Sequence, residues 1–389
     1  MLTTNREQNE WKIPLYKIYT DDEDVQLITK IIKRGSKWAI GPEIEEFENA
    51  LKDYVGVDYC TTLNSGTSAL HATLLAYGLA KNDEIIVPSF SFISTVNSVL
   101  FVDATPVFSD IEEETFGLDP NQIEGKISSN TKAVIPVDYG GLSCKINEVC
   151  EIAKNKDLIV IEDSAEALGS TINGKKTGSV SDSAIFSFCG NKVLTTGEGG
   201  AVVTNSKTIN EKIKSLRSHG RVDKINYFEN TQEAKYEHLG YNWRMSSITA
   251  AMGISQLNKL DKIIKMRQEN AIFISSKLSK HSEIRVPNPP SGHEHIYQMY
   301  TIQLESKKIR DELHNYLSEK GIFSKVYFSP IHLTPFYKAK FNQKENSLPN
   351  TEKISQQVLT LPIYPNMTME EKNYLVDTVS EFFESAVKS

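Results

Sequence analysis

One lysine of this chain stands where a side-chain amine could act as a nucleophile. Lys192 lies between an apolar run at residues 185–188, typical of a buried strand, and a loop with three glycines at residues 197–200. Partial removal of water from an amine favours its neutral, nucleophilic form. A solvated surface lysine explains this stretch equally well, because most lysines are exposed. The sequence must therefore supply partners before Lys192 is given a chemical role.

The second candidate is an anion-binding turn at residues 64–71, with the sequence Asn-Ser-Gly-Thr-Ser-Ala-Leu-His. It follows a predicted strand at residues 59–63 and enters a helix that is predicted to end near Tyr77. Small residues at such a junction leave backbone N–H groups exposed at the positive end of a helix, which is a typical phosphate site. Ser and Thr are also ordinary N-cap residues, so the turn alone leaves both interpretations open.

A carboxyl group follows another predicted buried strand. Asp163 comes, with Glu162, directly after the β-branched run at residues 158–161. In an open parallel sheet, ligands bind beyond the carboxyl ends of the strands, where such an acid would face them. A cap for the next helix is the alternative role for Asp163.

These three groups together match the needs of an enzyme that uses pyridoxal 5'-phosphate (PLP). The turn would anchor the phosphate, the carboxylate would keep the pyridine nitrogen protonated, and the lysine would hold the aldehyde as a Schiff base. Because all three occur in one chain, the sequence predicts a PLP site centred on Lys192.

Short apolar strands alternate with helices through the first two thirds of the chain. The predicted strands are residues 59–63, 84–88, 105–109, 132–137, 158–161, 184–188 and 201–204, and the helices between them include residues 94–102, 145–156 and 209–218. This alternation predicts a mainly parallel sheet that lies between helices. We expect an α/β large domain at residues 21–260, preceded by an N-terminal segment at residues 1–20.

The last third of the chain is expected to form a smaller C-terminal α/β domain at residues 261–389. A helix at residues 261–280 and a proline cluster at residues 287–290 precede a predicted strand at residues 297–304, and helices are predicted at residues 307–320 and 370–387. Upstream, the polar stretch at residues 219–241 is long for a loop in a compact protein, and loops of that length are usually functional or disordered.

Composition excludes several other classes of protein. The 389 residues include 43 basic and 50 acidic side chains, with a formal net charge of −7 and no Lys/Arg-rich run, which argues against nucleic acid as a partner. The four cysteines show no C-x-x-C spacing, so neither a disulfide framework nor a metal site is expected. Residues 1–10 are polar and no apolar run approaches a membrane span, so we expect a cytoplasmic protein with no membrane partner.

Seven stretches carry the motifs of a known enzyme family, at residues 41–48, 64–70, 83–89, 105–108, 162–169, 186–200 and 240–245. In these motifs and their order, the sequence resembles the DegT/DnrJ/EryC1/StrS family of sugar aminotransferases over essentially the whole chain. The resemblance implies the architecture of the fold-type I PLP enzymes, with a large PLP-binding domain and a smaller C-terminal domain.

The resemblance also implies roles around the cofactor ring. Lys192 would hold the PLP aldehyde, Asp163 would pair with the pyridine nitrogen, and Phe92 would stack on the face of the ring. Glu166 occupies a position where much of the family has glutamine beside the ring oxygen. A carboxylate there would be repelled unless it is protonated, turned away or balanced by a cation, and we expect Glu166 to contact the cofactor.

For the cofactor phosphate, the resemblance implies binding by Gly66, Thr67 and Ser187. Asn242 would reach the same phosphate from the neighbouring subunit, so a homodimer with shared active sites is expected. One further departure concerns residues 138–141, with the sequence Asp-Tyr-Gly-Gly, where many members carry a His-x-x-Gly motif. Any contact made by that histidine is absent in this chain.

The implied reaction has two halves. L-Glutamate would first pass its amino group to PLP, giving 2-oxoglutarate and pyridoxamine phosphate, and Lys192 would move the proton from the α-carbon to the cofactor. A nucleotide-linked keto sugar would then accept the amine and leave as an amino sugar. Family members that act as 3-dehydratases have histidine at the position of Lys192, so the lysine favours transamination.

The substrate expectation rests on two short segments, residues 190–192 and 330–335. They most resemble the 4-keto-6-deoxysugar aminotransferases of the perosamine synthase type, which implies amination at C4 in glycan biosynthesis. Trp38, Tyr327 and His332 are candidates for the sugar pocket. Each also has a commoner role, because the two aromatic residues could belong to a core or an interface and the histidine to a loop.

Other functions remain open at this point. A 3-keto sugar or a cyclitol ketone could be the amino acceptor. A PLP-binding regulator without turnover is the alternative from another class, although Lys192 and Asp163 are both present. A nucleotide-binding α/β protein would use residues 64–68 as its phosphate loop, but that loop has neither a G-x-x-x-x-G-K-[ST] nor a G-x-G-x-x-G signature.

Overall fold

The computed structural model describes residues 11–222 and 233–386. Within these ranges the helices are α1 (Asp22–Arg34), α2 (Pro42–Val55), α3 (Gly66–Tyr77), α4 (Ser94–Phe101), α5 (Pro120–Ile123), α6 (Ile146–Asn155), α7 (Lys207–Leu216), α8 (Ser247–Asn258), α9 (Leu260–Leu278), α10 (Lys307–Glu319), α11 (Pro335–Lys340), α12 (Pro349–Gln357) and α13 (Met369–Ala386). The strands are β1 (Tyr59–Leu63), β2 (Glu84–Pro88), β3 (Thr105–Ser109), β4 (Thr131–Val134), β5 (Ile159–Asp163), β6 (Thr171–Ile172), β7 (Lys175–Lys176), β8 (Ser183–Ser187), β9 (Gly200–Thr204), β10 (Ile284–Arg285), β11 (His293–Glu294), β12 (Tyr300–Leu304) and β13 (Val358–Leu361). None of these described helices is both long enough and apolar enough to cross a bilayer.

The main sheet has seven strands in the order β1–β9–β8–β5–β4–β2–β3. Strands β8, β5, β4, β2 and β3 run parallel to one another, whereas β9 is antiparallel to both β1 and β8. Strand β1 therefore points the same way as the parallel strands. Six strands thus end at one side of the sheet, which we call the carboxyl edge. The mainly parallel sheet expected from the sequence is confirmed.

Helices cover both faces of this sheet because its central strands are apolar on both sides. In β8, the side chain of Ile185 packs in a cluster with α3, α4 and α7, whereas Phe186 packs in a second cluster with α2 and α8. Successive side chains of a strand point to opposite faces, so an uninterrupted apolar run is what a sheet between two helical layers requires. The same run delivers the chain to Lys192 at the carboxyl edge.

A separate antiparallel sheet of β10, β12 and β13 packs with α10, α13 and the second half of α9. Helix α9 contributes Ile263 to the core of the main sheet and Ile274 to this second core. Ile13 is buried in the second core and forms a bridge to Ile322. The division into residues 1–20, 21–260 and 261–389 stays a prediction, and residues 1–10 lie outside the described part of the chain.

Element ends differ from the predictions where the backbone leaves a regular conformation. The strand predicted at residues 132–137 ends at Val134, and the extended chain beyond it continues as far as a bridge between Val137 and Asp163. The strand predicted at residues 297–304 begins at Tyr300, because Tyr297 has a φ of 52°. Of the predicted long loop at residues 219–241, residues 223–232 lie outside the described ranges.

Candidate active site

The carboxyl edge of the main sheet gathers the residues that the sequence singled out. Asp163 is the last residue of β5 and Ser187 is the last residue of β8. Gly66 begins α3, three residues after the end of β1. Lys192 follows β8 in the loop that leads to β9. Because these strands point the same way, three distant parts of the sequence meet at the place where open α/β sheets bind ligands.

Lys192 is paired with Glu166. Its Nζ lies 3.1 Å from Glu166 Oε1, and the two side chains are only 13% and 14% exposed. The other carboxylate oxygen, Oε2, accepts a hydrogen bond from the backbone N–H of Gly140 at 3.0 Å. Of the three states that the sequence left open for Glu166, the structure shows balance by a cation, and that cation is Lys192.

Asp163 lies at the base of the same site and is almost completely buried. Thr95 Oγ1 donates a hydrogen bond to its Oδ2 at 2.7 Å, and the N–H of Ala165 donates to Oδ1 at 3.3 Å. Burial raises the pKa of Asp163 to about 6, while these two hydrogen bonds and the charge of Lys192 act in the opposite direction. A buried carboxyl group held in this way is stabilised in its ionised form by a cationic partner.

The turn at the start of α3 packs directly against the end of β8. A Cβ on Gly66 would lie 3.0 Å from the Cβ of Ser187 and 3.3 Å from its Oγ. The register of β9 explains this closeness, because Gly200 pairs with Leu63 on one side and with Ser187 on the other. A Cβ on Gly200 would lie 2.4 Å from the carbonyl oxygen of Ser65. Because neither glycine has a side chain, the starts of α3 and β9 and the end of β8 can approach one another closely. These backbone segments border one small polar concavity.

The first turn of α3 offers hydroxyl and N–H groups to this concavity. Ser65 caps the helix by accepting a hydrogen bond from the N–H of Ser68. Thr67 Oγ1 lies 2.9 Å from Ser94 Oγ, which connects the turn to the start of α4. No acidic residue lies in the first turn of α3. The positive end of the helix is therefore free of local negative charge, as an anion site requires.

Two tyrosines, Tyr139 and Tyr327, lie close enough to Glu166 for its charge to act on them. The hydroxyl group of Tyr139 donates a hydrogen bond to the backbone oxygen of Tyr327 at 2.7 Å. Burial raises the pKa of Tyr327 to about 12 and also raises the pKa of Tyr139, and the charge of Glu166 adds to both shifts. Both phenols therefore stay protonated at neutral pH. Phe92 is 61% exposed and presents an uncovered ring three residues before Thr95.

Comparison with known proteins identifies the family. Residues 19–380 match the model of the DegT/DnrJ/EryC1/StrS aminotransferase family. The chain belongs to the DegT/DnrJ/EryC1/StrS family. The family resemblance that the sequence motifs predicted is thereby confirmed, as is the enzyme class, an aminotransferase.

Two curated DegT/DnrJ/EryC1/StrS relatives and one solved structure show how far the similarity extends. GDP-perosamine synthase of Escherichia coli O157:H7 is 34% identical over 373 residues, which cover 95% of this chain and 98% of that protein. UDP-4-amino-4,6-dideoxy-N-acetyl-beta-L-altrosamine transaminase of Campylobacter jejuni is 34% identical over 374 residues, which cover 95% and 96%. A Streptococcus pneumoniae protein solved in a PLP form has a TM-score of 0.89 and 26% identity, with 96% of this chain and 99% of that chain covered. The predicted fold class is confirmed.

The residues of this DegT/DnrJ/EryC1/StrS family member fit PLP. At Gly66 an added methyl group would crowd Ser187, so the glycine leaves room for backbone N–H groups to lie close to a phosphate. Within the described part of the chain, no cation contacts the buried carboxyl group of Asp163 directly, which suits a protonated pyridine nitrogen. Lys192 Nζ is held nearby by Glu166 Oε1 at 3.1 Å.

Three predicted site residues lie elsewhere in the single chain. His332 is wholly buried, with Nδ1 2.7 Å from Ser89 Oγ and Nε2 3.3 Å from Glu352 Oε1. The structure does not bring its imidazole to the site, because both ring nitrogens are used inside the protein. Trp38 is 46% exposed, and its Nε1 donates to the backbone oxygen of Ile31. Asn242 is exposed in the single chain.

Sequence reasoning missed Thr95 and Gly140, which bind the two carboxylates of the site. Both follow strands that end at the carboxyl edge, and this position was the one available signal. Sequence reasoning also assigned no function to Asp138. Asp138 is wholly buried and accepts hydrogen bonds from the N–H of Cys144 and the hydroxyl of Ser164. It therefore supports the loop that carries Gly140.

Proposed function

We propose that this protein transfers the amino group of L-glutamate to C4 of a nucleotide-linked keto-deoxysugar, using PLP, and so makes an amino sugar for glycan biosynthesis. One observation carries the proposal. Lys192 Nζ is held by the carboxylate of Glu166 at the carboxyl edge of the sheet. The buried Asp163 and the concavity at Gly66 and Ser187 lie at the same edge. The family and the E. coli and C. jejuni relatives, whose names describe nucleotide-sugar enzymes, support the class of substrate.

PLP would supply an aldehyde that forms an imine with an amine and a ring that accepts electrons from the bonds around it. In the proposal, Asp163 binds the protonated ring nitrogen and Phe92 covers one face of the ring. Gly66, Thr67 and Ser187 bind the phosphate through N–H and hydroxyl groups. The burial of Asp163 and its raised pKa support binding of the ring nitrogen, because a cation beside a buried carboxylate stabilises its charged form.

Lys192 would act twice in the reaction. It holds the cofactor between turnovers, and after the amino donor has replaced it, its Nζ moves a proton away from the α-carbon of the donor. The same Nζ later returns a proton when the keto sugar is aminated. The low exposure of the Lys192 side chain, 13%, supports this role, because it limits exchange of that proton with bulk water.

The proposal includes a homodimer in which Asn242 reaches the phosphate of the partner's cofactor. Within one chain the side chain of Asn242 is exposed, which leaves it available for such a contact. Large apolar side chains also lie on the surface of the single chain, including Trp38, Phe92 and Phe101. Exposed aromatic residues of this kind are typical of interfaces.

Tyr327 and Trp38 stay candidates for binding the sugar, and Tyr327 is the stronger candidate. Tyr327 lies beside Glu166, whose charge raises its pKa, and it therefore borders the reaction centre. Trp38 donates a hydrogen bond to the backbone oxygen of Ile31 in α1 and is 46% exposed, so part of its ring is available to a ligand. His332 is left out of this proposal because it has no exposed surface.

The test is a direct assay with purified protein. Wild-type protein loaded with PLP should convert L-glutamate to 2-oxoglutarate and shift the cofactor absorbance, and the resulting amine form should aminate a nucleotide-linked 4-keto-6-deoxysugar. Parallel reactions with 3-keto sugars and a cyclitol ketone test the alternative acceptors, with Lys192→Ala as the inactive control. Turnover of a 3-keto sugar alone would contradict amination at C4, and absence of any cofactor absorbance would contradict the whole proposal.

A further inference from the structure

The ion pair of Lys192 and Glu166 places a carboxylate at the point where an amine must react. We propose that Glu166 accepts the proton that the ammonium group of the amino donor has to lose before its nitrogen can act as a nucleophile. The inference rests on the proposed function, and it gives Glu166 a catalytic role of its own, in addition to contact with the cofactor.

The proton transfer is needed because aliphatic amines are protonated at neutral pH. An ammonium nitrogen has no lone pair with which to attack a carbon atom. In the step proposed here, the N–H bond of glutamate–NH₃⁺ breaks and an O–H bond forms on Glu166, giving glutamate–NH₂ and a neutral carboxylic acid. The electron pair of the broken bond stays on nitrogen as the nucleophilic lone pair. Charge balances, since one cation and one anion become two neutral groups.

The geometry supports this transfer. A general base should lie about 2.6–3.2 Å from the atom that loses the proton, and Glu166 Oε1 lies 3.1 Å from Lys192 Nζ. The nitrogen of the donor must replace Nζ on the same carbon atom, so the same oxygen can reach it. Gly140 fixes the other oxygen at 3.0 Å, which directs Oε1 toward the reacting nitrogen.

Among residues 11–222 and 233–386, the other titratable groups that face Glu166 are Lys192, Asp163, Tyr139 and Tyr327. Lys192 is the cation of the pair. Both oxygens of Asp163 already accept hydrogen bonds, from Thr95 and Ala165, and its proposed partner is the ring nitrogen. The two phenols keep their protons at neutral pH because burial and the nearby charge raise their pKa.

Side-chain chemistry separates this role from simple hydrogen bonding. Glutamine, which much of the family has at this position, can donate a hydrogen bond to a cofactor oxygen but cannot take up a proton. A carboxylate can take up the proton and, once neutral, donate a hydrogen bond in its turn.

Two amines of different acidity test the proposal. The experiment compares three PLP-loaded proteins: wild type, Glu166→Gln and Glu166→Asp. Each protein is mixed with L-glutamate or with O-methylhydroxylamine, which is neutral at pH 7. The change in cofactor absorbance gives the rate of reaction. The matched control is Glu345→Gln, which removes a surface carboxylate paired with Lys338 at 2.9 Å. We expect Glu166→Gln to react with glutamate roughly 100-fold more slowly. Its reaction with O-methylhydroxylamine should be unchanged, and Glu166→Asp should recover part of the rate with glutamate.

An infrared difference spectrum gives a measurement that is independent of rate. Addition of glutamate to wild type should produce the C=O stretch of a newly protonated carboxylic acid, and this band should be absent in Glu166→Gln.

Equal rates of wild type and Glu166→Gln with glutamate would overturn the inference. So would an equal loss of rate with both amines, because that result would mean that Glu166 only shapes the site. A wild-type protein that reacts with O-methylhydroxylamine but with no amino acid would overturn the proposed function, and the inference with it.

Discussion

Thr95 Oγ1 donates a hydrogen bond to Asp163 Oδ2 at 2.7 Å, which joins the first turn of α4 to the end of β5. Burial raises the pKa of Asp163 to about 6, and the bond from Thr95 is the strongest contact that opposes this rise. Thr95 therefore favours the charged form of the carboxylate that the proposed function needs. It does so from a helix turn that no motif pointed to.

Replacement of Thr95 by valine should weaken cofactor binding, although the two side chains have nearly the same shape. A hydrogen bond to a charged group contributes about 1.5–3 kcal/mol, so we expect the Kd for PLP to rise by roughly 10-fold to 100-fold. Absorbance titration of the cofactor-free protein measures this change. Thr378→Val is the control, because Thr378 is also a buried helical threonine but bonds only to the backbone of α13. An unchanged Kd for Thr95→Val would contradict the role of this bond.

The pH dependence of stability should report the burial of Asp163. Its pKa is about 6 in the folded chain and about 3.9 in an unfolded one, so the folded state holds an extra proton between these values. The free energy of unfolding of cofactor-free protein should therefore fall as the pH rises from about 4 to about 6, by up to about 3 kcal/mol from this group. Asp163→Asn lacks the titration and should gain stability relative to wild type over that range. Denaturant unfolding at a series of pH values measures the difference, and parallel curves for the two proteins would contradict it.

Gly66→Ala should damage the phosphate concavity. The added methyl group would meet Ser187 at 3.0 Å, so Ser187 must shift by a few tenths of an ångström. We expect PLP affinity to fall roughly tenfold, about 1.4 kcal/mol, with a smaller loss of stability. Gly125→Ala is the matched control, because nothing lies within 4 Å of its new methyl group. Equal cofactor affinity in the two variants would argue against a phosphate at Gly66.

Lys192→Ala should abolish turnover and covalent retention of the cofactor together. Borohydride reduction of the loaded wild-type protein should fix PLP to the peptide that contains Lys192, which mass spectrometry can identify. The same treatment should leave the variant unlabelled, and its turnover should fall by at least roughly 10⁴-fold. A reduced adduct on another lysine of the variant would move the reaction centre away from Lys192.

His332→Ala should affect stability rather than sugar binding. The buried imidazole contacts Ser89 and Glu352, so its loss removes two hydrogen bonds and leaves a cavity behind. We expect the free energy of unfolding to fall by about 2–4 kcal/mol, with no change in KM for the keto sugar. A large increase in KM at unchanged stability would instead place His332 at the substrate.

The sequence was informative where local pattern and strand direction decide the outcome. Strands were predicted to end within two residues of Asp163 and Ser187 because short buried strands have a clear signature, and parallel strands bring their ends together. The pair of Lys192 and Glu166 could not be predicted in the same way. The pair depends on the conformations of two loops beyond the strand ends, and residue spacing does not determine those conformations.

Long-range contacts explain the remaining differences. The approach of Gly66 to Ser187 comes from the register of β9, which was visible only once its two neighbours were known. His332 appeared to be a candidate for substrate binding because it lies in a motif. It is buried because Ser89 and Glu352, more distant in the sequence, close around it.

The position of β9 has a consequence for the order of assembly. Although it is the last strand of the main sheet in the sequence, it lies between β1 and β8 and contacts both through Gly200. During synthesis, the halves of the phosphate concavity at Gly66 and Ser187 therefore cannot be held together until the ribosome has released the segment that contains β9. A nascent chain would thus gain its affinity for the cofactor only after Thr204 has been synthesised, so retention of PLP by stalled chains of increasing length would time the closure of the sheet.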